Sequence, residues 1–208
     1  MYKGLEIFNI EAQLQSHQRK YDSNPKTTIF TIIHMDSTET FVTHALHNGC
    51  LRNWAANPVI YQYISGQPYT SQDITAWLST AKEAYACPET YYWAIEERTS
   101  GEVIGEIYVD NFSSRNRWCE LDWKIGCAFQ DNGFATEAAQ AIICYLVEQV
   151  GFHRIQAKCC VENIASERVM QKLGMVQEGI LRRYFLDHEQ HWQDVVLYSL
   201  IFEETSIR

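Results

Sequence analysis

Apolar and polar residues alternate along the stretch Glu120–Phe129, and the pattern changes abruptly at its end. Apolar side chains take every second position, a period that is typical of a β-strand with one buried face. Glu120, Asp122 and Lys124 fall on the other face of this predicted strand. The turn-forming residues Gln130–Gly133 follow and end the strand. The strand is therefore predicted to run into a tight turn that contains a glycine.

A helix is predicted over Gly133–Val150, because apolar residues recur there at helical spacing. Thr136 is a candidate N-cap, Glu137 places an acidic group in the first turn, and Gly151 provides a stop. Ile155–Val161 is then predicted to return as a strand, which completes a right-handed β-α-β unit. A turn that enters a helix in this way directs free backbone N–H groups toward one point, and that point attracts a phosphate group.

The remaining patterns predict an α/β (α+β) fold, in which a mixed, mostly antiparallel sheet of about seven strands carries about four helices on both faces. A short helix follows the central unit, and two helices precede it, over residues 36–54 and 70–85. Thr99–Gly101 has the composition of a hairpin turn, and Gly105 marks a bulge or a point of close packing. The other predicted strands are Thr27–His34, Tyr91–Glu97, Val103–Phe112, Met175–Phe185 and Trp192–Phe202.

Length, composition and charge limit the domain organisation and the class of partner. Residues 1–26 are predicted to be an N-terminal extension and residues 27–208 a single domain, because 46% of the 208 residues are apolar and can fill one core. The net charge is −9 and no run of basic residues occurs, which argues against a nucleic-acid surface. An acidic protein suits an amine or a basic peptide as substrate, although many proteins are acidic for solubility alone.

The seven cysteines show no CxxC pair and no Cys/His spacing typical of a metal site. Cys159 and Cys160 are neighbours on a predicted strand, and we interpret the cysteines as buried, reduced thiols of a reducing compartment. The first residues lack the basic and apolar segments of a signal peptide. The longest nearly apolar stretch, Ala138–Val147, is too short to span a bilayer. We therefore expect a cytoplasmic protein that binds neither a metal nor a membrane.

The turn sequence narrows the class of phosphate ligand. The chain contains neither GxxxxGK(S/T), the P-loop of nucleoside triphosphatases, nor GxGxxG, the fingerprint of dinucleotide-binding folds. It does contain Gln130-x-x-Gly133-x-Ala135, which resembles the (Q/R)-x-x-G-x-(G/A) acyl-CoA motif of the GNAT (Gcn5-related) N-acetyltransferases. Further segments are similar to the RimJ/RimL-like branch of that family, namely Gly133–Ala138 (GFATEA), Asn163–Ser166 with Lys172–Met175, and Asp194–Leu200.

This resemblance covers roughly residues 27–202 and implies a GNAT fold with a splayed parallel pair of strands at the centre of the sheet. It also implies that the protein uses acetyl-CoA as a cosubstrate and transfers its acetyl group to a primary amine. In the family, backbone amides of the turn hold the pantetheine and pyrophosphate of the cosubstrate. The corresponding positions are Cys127, Ala128, Phe129, Gln130, Asn132, Gly133, Phe134, Ala135 and Thr136.

Three side chains outside the turn match functional positions of the family. Asn163 matches an asparagine that reaches the pantetheine arm, Glu120 matches the general base, and Ser166 matches a residue near the CoA sulfur that can protonate the leaving thiolate. From the residues alone, Glu120 could instead be a solvated strand carboxylate and Ser166 a helix cap. Water is a further candidate for either proton transfer.

Two features depart from the family pattern. Asp131 and Asn132 stand where the turn usually carries a glycine and a basic residue, and an aspartate beside a pyrophosphate is repulsive. Acetyl-CoA would then depend more on the helix dipole and the backbone amides. Met170 stands where many members have a tyrosine acid, although an apolar residue there is common in the RimJ/RimL-like branch.

The resemblance predicts a protein N-terminal amine as the acceptor. A small-molecule amine such as a polyamine, an amino sugar or an amino-acid-like metabolite is the alternative, because acceptor loops vary most within one fold. A CoA-binding module without turnover is a third hypothesis, and Asp131 is its main support. The oligomeric state is expected to be a monomer or a homodimer.

Aromatic residues and histidines supply further candidates for the acceptor side. The resemblance brings Tyr61, Tyr63 and Tyr69 near the acceptor, where they could sandwich a substrate or pack among themselves, the interpretation that we favour slightly. Three histidines could act as bases but lack ligand or triad spacing, so we interpret them as surface or supporting residues: His153, His188 and His191.

Overall fold

The computed structural model describes residues 30–34, 55–64, 66–74, 76, 91–97, 100–187 and 189–203, with the backbone alone for residues 30–34. Its strands are β1 (Phe30–His34), β2 (Tyr92–Glu97), β3 (Glu102–Ser113), β4 (Trp118–Ile125), β5 (Arg154–Cys160), β6 (Val176–Leu186) and β7 (Trp192–Ile201). They form one seven-stranded sheet in the order β1-β2-β3-β4-β5-β7-β6. All neighbours are antiparallel except β4 and β5, which are parallel. The predicted mixed, mostly antiparallel sheet is confirmed.

Two helices are described over their whole length. Helix α1 (Phe134–Tyr145) continues into a π-helical turn at Leu146–Val150, and helix α2 (Ile164–Lys172) follows β5. Residues 71–74 are also helical, where the sequence predicts the start of a helix. The predicted N-terminal extension and the predicted helix over 36–54 lie outside the described residues. Gly151 ends the helical segment with φ 87°, the left-handed conformation that favours glycine, as predicted.

The parallel strands β4 and β5 pair over only a short distance. Three residue pairs join them, and the last pair is Glu120 with Gln156. Beyond it, Leu121–Ile125 and Ala157–Cys160 do not pair with each other, although β4 stays paired with β3 and β5 with β7. The two strands therefore diverge after this residue pair, which confirms the expected splayed parallel pair.

The face of the sheet under α1 forms the apolar core. Cys119 and Leu121 of β4 are fully buried there, together with Ala138 and Ile142 of α1 and Ile155 of β5. Burying one leucine or isoleucine side chain contributes about 1.5–3 kcal/mol. This packing fixes the position of α1 over the sheet, and it thereby fixes the turn that precedes the helix.

The segment after β4 differs from the sequence prediction. The strand ends at Ile125 and does not continue to Phe129, because Cys127–Phe129 form a 3-10 turn. In this turn the N–H of Phe129 donates to the carbonyl of Gly126 at 2.8 Å. Phe129 still packs against the core from the turn, which explains why an apolar pattern of strand type extends past the strand itself.

The start of α1 also differs from the prediction. Gly133, not Thr136, is the N-cap residue, and no side chain caps the helix. Gly133 has φ 87°, a left-handed conformation in which a β-branched residue is strained. Thr136 therefore lies inside the first turn, where it contributes a backbone N–H group instead of a side-chain cap.

The described cysteines are all free thiols: Cys119, Cys127, Cys144, Cys159 and Cys160. Burial raises the pKa of the Cys119 and Cys159 thiols to about 12, so these two side chains act as small apolar groups of the core. Among the helices that the structure describes, none is long and apolar enough to cross a membrane.

Gly105 of β3 is a point of close packing against β4, as predicted. A Cβ atom at this position would lie 2.3 Å from the Lys124 carbonyl oxygen and 2.9 Å from Ile125 Cδ1. The register of β2 with β3 shifts beside it, between Ile95 and Glu96. The absent side chain therefore lets β4 lie close against this irregular part of the sheet.

Gly105→Ala is expected to destabilise the protein by about 1–3 kcal/mol, the usual cost of forcing extra atoms into a packed interior. The Lys124 carbonyl that the new Cβ meets belongs to the backbone and cannot rotate away. Gly179→Ala is the matched control, because a Cβ there meets nothing within 4 Å. Thermal unfolding measures both variants, and equal melting temperatures would show that β3 and β4 can separate without cost.

Candidate functional site

A cavity of about 760 Å³ opens where β4 and β5 separate. Its walls come from the turn before α1, the start of α2, the segment around Tyr61 and strand β6. Two chemically different sets of residues line it. The first set belongs to the turn and to α2, and the second contains carboxylates and tyrosines. The gap in the sheet therefore brings a set of backbone donors and an acidic, aromatic surface into one space.

Most of the residues predicted to hold acetyl-CoA, and the predicted proton donor, line the cavity: Phe129, Gln130, Gly133, Phe134, Ala135, Thr136, Asn163 and Ser166. Three other predicted residues are not among its lining: Cys127, Ala128 and Asn132. Asn132 instead holds the turn together, because its Nδ2 donates to the carbonyls of Phe129 at 3.3 Å and Gln130 at 3.0 Å. Gln130 Nε2 donates to the Ile125 carbonyl at 3.0 Å and ties the turn to the end of β4.

The turn before α1 presents a row of unused backbone donors. Within the described residues, the N–H groups of residues 131–136 donate to no protein acceptor, and the first bond of the helix runs from Glu137 N to the Gly133 carbonyl at 3.0 Å. Asp131 and Gly133 have φ 62° and 87°, and such left-handed residues turn successive N–H groups toward a common point. A Cβ on Gly133 would meet nothing within 4 Å. The turn thus fits a pyrophosphate.

Charges around the turn are mixed. The carboxylate of Asp131 is exposed on the turn itself and opposes an anion there. Two cations line the same cavity from α2, namely Arg168 and Lys172, one helical turn apart. Neither residue was predicted from the sequence to replace the basic residue that the turn lacks. The basic side chains of α2 can offset the repulsion that Asp131 introduces.

Asn163 caps α2 and at the same time faces the cavity. Its Oδ1 accepts a hydrogen bond from the backbone N–H of Ser166 at 3.1 Å. Its Nδ2 donates to no group in the described part of the chain, so this amide can donate to a ligand. The sequence suggested Ser166 as a helix cap, but Ser166 is the residue that is capped. Met170 is fully buried in the core and takes no part in the cavity.

Glu120 is buried, not solvated, with 4% of its surface exposed. Its Oε2 accepts a hydrogen bond from Gln156 Nε2 at 2.9 Å, and its Oε1 forms an ion pair with Lys158 of β5. Glu120 is not among the lining residues of the cavity, whereas Lys158 is. The Lys158 ammonium also lies 5.5 Å from the centre of the Tyr184 ring. The predicted base therefore joins the two strands just before they separate.

Asp122 and Asp110 line the cavity and were not singled out from the sequence. Asp122 lies next to Glu120 on the polar face of β4, so the alternating pattern already contained this signal. Asp110 lies at a shift in the β3–β4 register between Val109 and Asn111. Carboxylate oxygens of Asp110, Glu120 and Asp122 lie within 4.8 Å of one another. The bulge thus brings a third acid, Asp110, close to Glu120 and Asp122.

A buried polar network lies beside these acids. Lys124 Nζ donates to Glu106 Oε1 at 2.7 Å, and Glu106 Oε2 accepts a hydrogen bond from Tyr92. The rings of Tyr92 and Tyr108 stack with centroids 5.0 Å apart, and Lys124 Nζ lies 5.3 Å from the Tyr108 centroid. Burial lowers the pKa of Lys124, but the Glu106 carboxylate outweighs this effect and raises the pKa above its ordinary value. Lys124 therefore remains a cation that is committed to Glu106.

The three predicted tyrosines of the acceptor side all line the cavity. Tyr61 is buried and donates to the Ala55 carbonyl at 2.9 Å, and its ring lies 6.1 Å from the ring of Tyr69. Tyr63 is half-buried. Tyr61 and Tyr69 therefore pack against each other, as the favoured interpretation of the sequence expects, and all three rings form part of the cavity wall.

His153 and His191 lie away from the cavity. His153 Nδ1 lies 2.8 Å from the Arg117 carbonyl oxygen, in the segment that leads into β5. His191 is exposed on the β6–β7 hairpin near Asp187 and Glu189. Neither histidine is among the residues that line the cavity, and His188 lies outside the described residues. The positions of His153 and His191 agree with the interpretation of these histidines as surface or supporting residues.

Comparison with known structures identifies the fold. The chain is similar to spermidine N-acetyltransferase from Vibrio cholerae, determined in complex with CoA and spermine, with a TM-score of 0.67. The sequence identity is 19%, and the match covers 84% of this chain and 96% of the other. A likeness at this level of identity shows the fold alone.

Comparison of sequences identifies the family. The chain is 31% identical over 145 residues to the uncharacterized N-acetyltransferase YnaD of Bacillus subtilis, covering 70% of this chain and 82% of that protein. It is 29% identical over 103 residues to the ribosomal-protein-serine acetyltransferase of Escherichia coli, covering 49% and 56%. The family model described as acetyltransferase (GNAT) domain matches residues 42–176. The chain belongs to the GNAT family of N-acetyltransferases.

Proposed function

We propose that this protein transfers the acetyl group of acetyl-CoA to the N-terminal amine of a protein. The observation that carries the proposal is the cavity at the separation of β4 and β5, because one space contains both a row of free backbone donors and an acidic surface. The donors suit the pyrophosphate and pantetheine of acetyl-CoA, and the acids suit a cationic amine. Acetyl transfer requires these two ligands to meet.

The cosubstrate is proposed to bind along the turn and the start of α2. Backbone N–H groups of residues 131–136 hold the pyrophosphate, and the Nδ2 of Asn163 donates to the pantetheine arm. Arg168 and Lys172 supply the positive charge that the turn lacks. Acetyl-CoA brings an activated thioester, and these residues orient it toward the gap between the strands.

The acceptor is proposed to enter beside the tyrosines and the acids. An N-terminal amine is protonated at neutral pH in part, and the carboxylates of Asp110 and Asp122 attract that form. Unpaired N–H groups along the separated strands supply donors for the oxyanion that forms on attack. Ser166, which lines the cavity, is the proposed proton donor to the departing thiolate.

A small amine is the second candidate acceptor. The same acids and tyrosines suit a flexible polycation, because carboxylates pair with ammonium groups and aromatic rings stack on the methylene segments between them. One similar structure is that of a spermidine N-acetyltransferase, and one relative is a ribosomal-protein-serine acetyltransferase. A direct comparison of peptide N-terminal amines with small-molecule amines in one assay therefore distinguishes the two candidate acceptors.

CoA release from acetyl-CoA, measured with a thiol reagent, is expected to rise when peptides with a free N-terminal serine or alanine are added. The same peptides with a blocked N-terminus are the matched controls, and spermidine represents the small amines. Greater release with spermidine than with any peptide would replace the first candidate by the second. Stabilisation by acetyl-CoA, about 2.7 kcal/mol at 100 times Kd, without release for any amine would identify a binding module instead.

Asp131→Asn is expected to tighten acetyl-CoA binding by about three- to tenfold, because a carboxylate near a phosphate costs roughly 1 kcal/mol or more in water. Asparagine tolerates the positive φ of this position, so the backbone of the turn is retained. Glu203→Gln is the control, since Glu203 is exposed and does not line the cavity. Titration calorimetry at low salt measures both, and an equal change in the control would assign the effect to net charge alone.

Asn163→Ala is expected to weaken acetyl-CoA binding by about two- to tenfold, the usual worth of one hydrogen bond. It should also lower the stability by about 1 kcal/mol, because it removes the cap of α2. Asn163→Ser separates the two effects, since serine caps a helix equally well but lacks the Nδ2 donor. If Asn163→Ser binds acetyl-CoA as tightly as the wild type, Asn163 is a cap and nothing more.

A further inference from the structure

Two carboxylates of β4 could receive the proton that the acceptor amine must lose. Glu120 and Asp122 lie on the same face of the strand. Glu120 belongs to the last residue pair before β4 and β5 separate, whereas Asp122 lies on the separated part. Asp122 lines the cavity and Glu120 does not. Their positions therefore favour Asp122 for contact with an acceptor.

Glu120 is already committed to protein partners. It is buried, it forms an ion pair with Lys158, and it accepts a hydrogen bond from Gln156 at 2.9 Å. A proton on Glu120 would weaken this ion pair and leave the partly buried Lys158 with Asp110 as an acidic neighbour. Because the Glu120 carboxylate already has two protein partners, it is less available to a ligand than the carboxylate of Asp122.

We propose that Asp122 accepts the proton of the acceptor amine, and that Glu120 is a positioning residue that holds Lys158 at the gap. The inference rests on the proposed acetyl transfer and assigns its base. Asp122 is half-buried, and it forms no hydrogen bond or ion pair with any described residue. Its carboxylate is therefore available to a ligand in the cavity.

The surroundings of Asp122 suit a group that gains and loses a proton near neutral pH. Burial and the neighbouring Asp110 carboxylate raise the pKa of Asp122 to about 7, while Lys124 acts in the opposite direction. The ionisable groups around it on β3, β4 and β5 are Tyr108, Asp110, Glu120, Lys124 and Lys158. Asp110 is the nearby acid whose position depends on the β3 bulge.

The proton steps balance with Asp122 in this role. Asp122 takes one proton from the ammonium form of the acceptor, and the neutral nitrogen then attacks the thioester carbon. A C–N bond forms, the C–S bond breaks, and its electron pair leaves on the sulfur. The second proton of the nitrogen passes to the sulfur through Ser166 or water. Asp122 finally returns its proton to solvent, so that ammonium and acetyl-CoA give amide, CoA thiol and one proton.

The test is the pH dependence of kcat/KM for Asp122→Asn, with acetyl-CoA and the better of the serine peptide and spermidine. Asp122 must be ionised to act, so the wild-type value falls below about pH 7 as this carboxyl becomes protonated. In Asp122→Asn, kcat/KM at pH 7 is expected to fall about tenfold for the serine peptide and about 100-fold or more for a more basic amine such as spermidine, because less of that amine is neutral without a base. The deficit should shrink as the pH approaches the pKa of the amine, where no base is required.

A structural defect would give a different result. The folded-state pKa of Asp122 lies above its ordinary value, so its ionisation opposes folding as the pH rises above about 4. Asp122→Asn is therefore expected to keep or raise the melting temperature at pH 8 and to bind acetyl-CoA as the wild type does. Asp110→Asn removes a repulsive neighbour, so the fall in kcat/KM should move to lower pH.

Glu120→Gln completes the comparison. It is expected to lower the melting temperature and to retain the fall in kcat/KM near pH 7. If Glu120→Gln abolishes that fall, or if Asp122→Asn retains it, Asp122 is not the base. Failure of the wild type to release CoA with every amine would remove the proposed function itself, and with it any base. The two failures are distinct, because the second appears before any variant is made.

Discussion

The early end of parallel pairing between β4 and β5 is the constraint on which the rest of this structure depends. After Glu120 and Gln156, the two strands separate although each keeps its outer neighbour. The separation opens the sheet to a cavity and leaves backbone groups without strand partners. The ion pair of Glu120 with Lys158 spans the strands at this point. It neutralises one acid of the polar face and leaves Asp122 exposed to the cavity beyond it.

The two faces of β4 have different roles, one in packing and the other in the chemistry of the cavity. Cys119, Leu121 and Ile125 bind the strand to the core under α1, so the turn before the helix is held in place by packing. Glu120 and Asp122 occupy the other face, where burial and neighbouring charges determine their chemistry. Adjacent residues thus fix the cosubstrate turn and present a carboxylate to the acceptor. A shift of one residue in register would exchange these roles.

Local patterns predicted the strands, the β-α-β unit and most of the residues around the cavity, because they depend on periodicity and on a short motif. The predictions that failed concerned features that depend on backbone conformation or on partners far away in the sequence. Cys127 and Phe129 continue the alternating apolar pattern of a strand, although both belong to a 3-10 turn. The N-cap at Gly133 depends on a positive φ, a backbone conformation that no side-chain pattern predicts. The burial of Glu120 depends on Lys158, which lies far along the chain and on a different strand.

The extra residue in β3 has a consequence for how this protein tolerates changes of length. Asp110 is the additional residue of β3, because Val109 pairs with Leu121 and Asn111 pairs with Glu120. Deleting Asp110 would therefore leave these flanking pairs and the faces of their side chains unchanged. Substitution at Asp110 would keep the bulge and remove only the acid. The sheet therefore does not need Asp110 for its register, and a deletion at this position would shorten β3 by one residue and remove one acid from the cavity.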